Sequence, residues 1–319
     1  MMNINRSRPD MWKEDVVASV RLYNSWFLAA APEAYRVTRA AVVDDVENLF
    51  HATNDMRDIT PEIIMRNPAI LSTLRMSTAP PIARDRLMGL SYAPGSLVKT
   101  LEDGSLPKRM ARSELLGHLN RMCDVFDELL DRTLFDWLDG TGSPDASQRE
   151  LAAVVVSDRR CGAVADPIVR NAQEARQLAV LGDWLGRQGY VHVQHSTGTP
   201  IQRMSGGTYA IHQNVPVTTE DGRRVNMPVD VVIQPRSAQV PQMPILVEAK
   251  SAGDFTNTNK RRKEEATKAR QLQATYGKDV CFILFLCGYF DTGYLGYEAA
   301  DGIDWVWEHR VEDFALAGV

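Results

Sequence analysis

Nowhere in this sequence does an uninterrupted apolar run approach the roughly 20 residues that a helix needs to cross a bilayer, so a membrane protein is excluded. The opening stretch, Met1 to Trp12, is polar and mixed in charge and has nothing like the apolar segment of a secretory signal, so the expected address is the cytoplasm. Cysteine is scarce. Cys123, Cys161, Cys281 and Cys287 are scattered, with no Cys-x-x-Cys pair and no Cys/His spacing of the kind zinc demands, and they read as buried free thiols in a reducing compartment. His192 and His195 also lack the remaining ligands of a zinc site and read as solvated strand histidines. No Gly-x-x-x-x-Gly-Lys-Ser/Thr or Gly-x-Gly-x-x-Gly loop occurs, which argues against nucleotide hydrolysis and against a dinucleotide cofactor. Positive charge is not in excess either: 36 Lys+Arg against 41 Asp+Glu leave a net charge of −5. That balance disfavours a protein that coats nucleic acid through overall charge, but it leaves room for a basic groove.

What is present suits a folded enzyme. With 319 residues and 44% hydrophobic content, the chain can bury a sizeable core in two domains, or in one domain with a helical elaboration. The clearest break in composition is the Gly/Ser/Pro cluster Gly140 to Ser147, which places a boundary between a mainly helical N-terminal region, 1–147, and a second region, 148–319. Upstream, Asp10 to Ala30, Glu33 to Thr53 and Ser113 to Trp137 carry apolar residues at helical spacing. Downstream, a helix is expected from Asp166, a capping residue followed by Pro167, to Gln188. Strands are expected at Tyr190–Gln194, Tyr209–Val217, Val225–Ile233 and Ile245–Lys250, then a helix over Asn259–Tyr276 with Thr256, Asn257 and Asn259 offering caps, then a strand over Val280–Leu286. The order predicts an α/β (α+β) fold, a mixed sheet flanked by helices.

The chemistry concentrates in two of these strands. Side chains alternate along Ile245-Leu-Val-Glu-Ala-Lys250, so Glu248 and Lys250 emerge on one side while Val247 and Ala249 face the other. The preceding strand carries one acid, Asp230, in an otherwise apolar run where an unpaired charge is costly. Two carboxylates converging from neighbouring strands make an oxygen site for Mg²⁺, which keeps several waters and accepts phosphate oxygens. Such an ion neutralises a scissile phosphodiester and lowers the pKa of a water, and Lys250 would orient or deprotonate that water. The bland alternative is a surface pair on an edge strand. Against it, no other Asp/Glu-x-Lys occurs in the chain, and this one ends an apolar strand. A third acid, Glu174, shares a helical stripe with Leu178, Leu181 and Leu185. It reads either as a further metal ligand or as an ion pair with Arg170, one turn back.

Pro228-Val-Asp230 followed by Glu248-Ala-Lys250, framed by the Glu174 helix and a basic helix, resembles the PD-(D/E)xK nuclease superfamily. The strings Pro80 to Leu87, Pro167 to Glu174, Val247 to Ser251 and Asn257 to Glu265 are similar to XamI-type restriction endonucleases, a resemblance spanning most of the chain. It departs from the superfamily pattern in that Val229, not proline, directly precedes Asp230. The resemblance implies a restriction-endonuclease-like core in which Asp230 and Glu248 bind Mg²⁺ and Lys250 assists the water. It also implies a type II enzyme paired with a DNA methyltransferase, and the palindrome GTCGAC as target. A palindrome read on double-stranded DNA predicts a two-fold homodimer, with the helical N-terminal region serving recognition or dimerisation.

Lys260-Arg-Arg-Lys263 opens the helix after the catalytic strand, where Lys260, Arg261, Arg262 and Lys263 could meet phosphate or simply solvate a helix face. Arg75, Arg84 and Arg86 flank the Pro80-Pro81 turn and could reach DNA or merely solvate the loop. Ser205-Gly-Gly-Thr208 offers a close approach to DNA or a turn, and Trp305 and Trp307 read as core. The competing functions are a structure-specific repair or recombination nuclease and a non-cleaving DNA-binding protein on a degenerate nuclease fold.

Overall fold

Helices α1 (Trp12–Ala52) and α7 (Ala146–Arg187) each continue through a proline, Pro32 and Pro167. Two expectations are corrected here: 10–30 and 33–53 form one helix, and Asp166-Pro167 lies inside a helix rather than opening one. Proline deletes one main-chain hydrogen bond and crowds the preceding turn. Apolar residues continue on both sides of each proline, so the cost is local. The computed structural model describes residues 3–194, 199–219, 221–255 and 258–319, the side chains of 258–261 excepted.

The chain divides into two compact units, one made of 31–169 and the other of 1–30 together with 170–319. In the first unit, α2 (Pro61–Arg66), α3 (Leu71–Leu74), α4 (Arg84–Ser91), α5 (Gly95–Glu102) and α6 (Arg112–Leu129) pack with the flanking parts of α1 and α7. Leu115, Leu119, Met122 and Phe126 recur every three to four positions along α6 and are buried, each contributing about 1.5–3 kcal/mol of apolar burial. Thr60 caps α2 and Pro61 fills its first position, as helix N-termini favour. The Gly140 to Asp145 part of the Gly/Ser/Pro cluster forms the connection into α7, whose first residues are Ala146 and Ser147.

The second unit holds one sheet in the order β1 (Val191–His192), β2 (Thr208–Thr218), β3 (Arg224–Gln234), β4 (Ile245–Ala252), β5 (Phe282–Gly288), β6 (Asp304–Trp307). Helix α8 (Thr258–Tyr276) connects β4 to β5 and α9 (Thr292–Ala300) connects β5 to β6, the crossovers that parallel pairs require. The β2–β3 and β3–β4 pairs are antiparallel, so the sheet is mixed and flanked by helices. Leu178, Leu181, Trp184 and Leu185 of α7 cover one face, over Val231, Ile233, Val247 and Phe285. Ala269 and Leu272 of α8 and Leu295 of α9 cover the other, over Val232, Leu246, Leu284, Trp305 and Trp307. Both tryptophans are fully enclosed. No helix among the described residues is long and apolar enough to cross a membrane.

The β2–β3 hairpin changes phase midway. Val231 and Ile233 pack on the α7 side, yet Met227 and Val229, also at odd positions, pack on the α8 side. On β2, Tyr209 and Ile211 face α7, whereas Val215 and Val217 face α8. The pairing stays in step, Ile211 with Val231 and Gln213 with Val229, so both strands turn over together between those pairs. His212, at the turnover, has a left-handed backbone (φ 52°), a conformation that β-strands do not contain. The residue facing it across the hairpin is Asp230.

Candidate active site

Asp230 therefore leaves β3 where the strand turns from one sheet face to the other. This lets its carboxylate meet β4: the Ala249 N–H donates to Asp230 Oδ2 (2.8 Å). Val231 pairs with Val247, so one step further along the ladder Asp230 stands beside Glu248. Burial and the charge of Glu248 push the Asp230 carboxyl up to about 6, against the opposing pull of the Ala249 N–H and Lys250.

On β4 the alternation holds. Val247 lies against α7, and Glu248 and Lys250 turn toward α8 with Leu246. Glu248 is 4% exposed, and its Oε1 receives two ammonium groups, Lys250 Nζ at 2.9 Å and Lys268 Nζ, from α8, at 2.6 Å. Its other oxygen, Oε2, is buried with no hydrogen-bond partner. A buried carboxylate oxygen left unsatisfied is costly and calls for a cation or donor. Burial alone would lower the Lys250 pKa, but the charge and hydrogen bond of Glu248, joined by Glu265 and Asp230, outweigh it and leave it raised.

Glu174 departs from its expected setting. It is exposed, and among the described residues it forms no ion pair with Arg170. At this turn of α7 the interior positions belong to Gln173 and Gln177, each 1% exposed, and Gln177 Nε2 donates to Phe285 O (3.3 Å) and Lys250 O (3.4 Å). The helix has reached polar main chain here, and the leucine stripe no longer has apolar surface beneath it. Glu174 instead joins His212 and Asp230: one ligand atom from each lies within 4.8 Å of the others. Asp230 thus stands between two groups: the Glu174 carboxylate and His212 imidazole on one side, and on β4 the Glu248 carboxylate with its unsatisfied oxygen. The carboxylate oxygens among these donors suit a hard divalent cation that retains water.

Sequence reasoning missed Lys268 and His212. Lys268 is three residues after buried Glu265 and four before buried Leu272, so a helical projection of α8 would have turned it toward the sheet. His212 had no comparable signal, because its place depends on a backbone turn. Behind Lys250, the Tyr294 hydroxyl donates to Glu265 Oε2 (2.5 Å), and burial together with Glu265 pushes the fully buried Glu298 carboxyl up to about 9. Glu298 therefore keeps its proton at neutral pH beside Glu265.

The basic candidates have different settings. Arg75 is buried, with Nε on Glu102 Oε1 (2.6 Å) and Nη1 on Ile82 O (2.7 Å), while Arg84 takes the other oxygen of Glu102. These two arginines clamp the Pro80-Pro81 turn to α5, and Arg86 is left exposed to solvent. Arg262 lies over the Tyr297 ring at 3.7 Å and Lys263 is exposed. The side chains of Lys260, Arg261 and Asn259 lie outside the described residues, as do Thr256, Asn257 and His195. His192 is exposed on β1. Gly206 packs against the Pro235–Arg236 main chain, where a side chain would meet carbonyl oxygens at 3.0–3.1 Å, and Gly207 against the Arg236 side chain, so this segment is a tight structural turn. The four cysteines are free thiols, Cys161 and Cys287 buried and the other two half-buried.

Residues 54–307 match the model of the XamI restriction endonuclease family. Over 316 residues, 99% of each chain, the sequence is 58% identical to the Type II restriction enzyme SalI of Streptomyces albus G. No solved structure matches. With likeness extending over nearly the whole length, the chain belongs to the XamI restriction endonuclease family and is a type II restriction endonuclease.

Proposed function

We propose that this enzyme hydrolyses phosphodiester bonds of double-stranded DNA at a short palindromic site with Mg²⁺ held by Asp230 and Glu248, assisted by Glu174. The observation that carries the reading is the Glu248 carboxylate: one oxygen is gripped by Lys250 and Lys268, and the other is buried, unpartnered and one strand away from Asp230. When bound, the ion would offset charge on the scissile phosphate and acidify a water. Asp230, fixed by the Ala249 N–H, presents its remaining oxygen lone pairs. Lys268 and Lys250 hold Glu248 in one orientation, and the Lys250 ammonium orients the attacking water and stabilises charge developing on the phosphate. Arg86, Lys260, Arg261, Arg262 and Lys263 contribute phosphate contacts, and the helical region ahead of Ser147 contributes recognition or dimer contacts.

Likeness to the family supports GTCGAC as the target, and its two-fold symmetry favours a homodimer in which each subunit hydrolyses one strand. A cytoplasmic address and a cognate methyltransferase complete the reading. The test is digestion of a plasmid bearing one GTCGAC site, with and without Mg²⁺. A single linear product that EDTA abolishes and site methylation blocks supports it. Cutting confined to flaps or junctions, binding without cutting, or undiminished cutting in EDTA overturns it.

A further inference from the structure

We propose that Glu174, His212 and Asp230 form a divalent-cation position in which the His212 imidazole is a nitrogen ligand. The proposal rests on Asp230 being a metal ligand and goes beyond it by adding a donor of different chemistry. Three observations carry it. First, one ligand atom from each residue lies within 4.8 Å of the others. Ligands at about 2.1 Å from a small divalent ion stand roughly 3–4 Å apart, so a contraction of at most about 1–2 Å between donors closes the shell. Second, neither ammonium group of the site is paired with these three residues. Lys250 and Lys268 both sit on Glu248, and among the described residues neither Glu174 nor Asp230 has a salt-bridge partner. Asp230 also feels the charge of Glu248, which is 4% exposed and keeps a buried oxygen with no partner, so negative charge beside Asp230 is left uncompensated. Third, Glu174 and His212 are exposed, so an ion can enter and retain water.

The donor set dictates which cation. Mg²⁺ favours an all-oxygen shell, whereas Mn²⁺ and Co²⁺ accept imidazole together with carboxylate. The position is thus a mixed nitrogen–oxygen site suited to a borderline divalent ion, with Asp230 common to it and to the Glu248 side of the centre.

The experiment uses Mn²⁺ as the probe on the full chain. Electron spin-echo spectroscopy of the Mn²⁺-loaded protein reports directly bound nitrogen, and calorimetry reports affinity. The wild type is expected to show the coupling of one coordinated imidazole. His212→Gln is expected to lose it and to bind Mn²⁺ at least roughly tenfold more weakly, and Glu248→Gln to keep it. His212→Gly, which suits the left-handed backbone at this position, is expected to behave like His212→Gln, with urea unfolding of both variants reporting that they fold. If the wild type binds Mn²⁺ without nitrogen coupling, or if both His212 variants keep coupling and affinity, the proposal is overturned while the metal reading of Asp230 stands. If Mn²⁺ binding is absent from the wild type, or is unchanged in Asp230→Asn, the metal reading itself fails.

Discussion

Replacing Lys268 with glutamine tests whether the second ammonium fixes Glu248. Glu248 Oε1 has Lys268 at 2.6 Å and Lys250 at 2.9 Å, and Oε2 has no protein donor. A hydrogen bond to a buried charged group is worth about 1.5–3 kcal/mol. The Lys268 side chain is 23% exposed, so water and the glutamine amide recover part of that, and the lower half of the range, about 1.5–2 kcal/mol, is expected. If the whole loss falls on the transition state, cleavage slows by about 10–30-fold, since each 1.4 kcal/mol is a factor of ten. The assay is single-turnover cleavage of a one-site plasmid at saturating Mg²⁺, with DNA binding measured separately in Ca²⁺. Binding should stay within about twofold of wild type, because Lys268 is committed to a carboxylate and not to phosphate. Cleavage within twofold of wild type in a folded variant would refute the argument, and so would a loss confined to DNA affinity.

Lys250→Ala is expected to reduce cleavage by at least roughly 100-fold with binding in Ca²⁺ retained, read by gel shift against plasmid cleavage. Glu298 holds its proton to about pH 9 in the folded protein, against an ordinary value of 4.5. Between those values the folded state binds the extra proton, so this group's stabilising contribution is complete below 4.5 and is lost as pH rises toward 9, at up to about 1.4 kcal/mol per pH unit. Glu298→Gln should therefore flatten the fall in urea-unfolding stability from pH 6 to 9, and curves parallel to wild type would contradict this. Arg75→Gln, which strips a buried partner from Glu102, should cost about 3 kcal/mol in urea titrations, reduced where Arg84 compensates. Arg86→Ala should leave stability within about 0.5 kcal/mol of wild type and lower the salt dependence of DNA binding by about one phosphate contact.

Sequence by itself determined whatever depends on neighbours along the chain. Period-two alternation placed Glu248 and Lys250 on one side of β4, and apolar spacing located β1 to β5 and α8 to within a few residues, though not α9 or β6, because side-chain direction in a regular element follows from local dihedrals. The same locality misled at Pro32 and Pro167, where a breaking signal was outweighed by continuing helix on both sides. It misled again at Glu174, where the apolar stripe of α7 reaches a turn whose buried residues meet main-chain carbonyls of β4 and β5. Arg75 was legible as a basic residue but not as a clamp, since its partner Glu102 lies on another helix. Only the tertiary structure decided where Asp230 points. Regular alternation gives it a fixed face, but the left-handed residue His212 across the hairpin turns both strands over together, and only pairing in three dimensions couples those two positions. That coupling brings a strand acid, a helix acid, an imidazole and a twice-held glutamate toward one place. Their spacing is set by the sheet ladder and by the packing of α7 and α8, which no local pattern encodes.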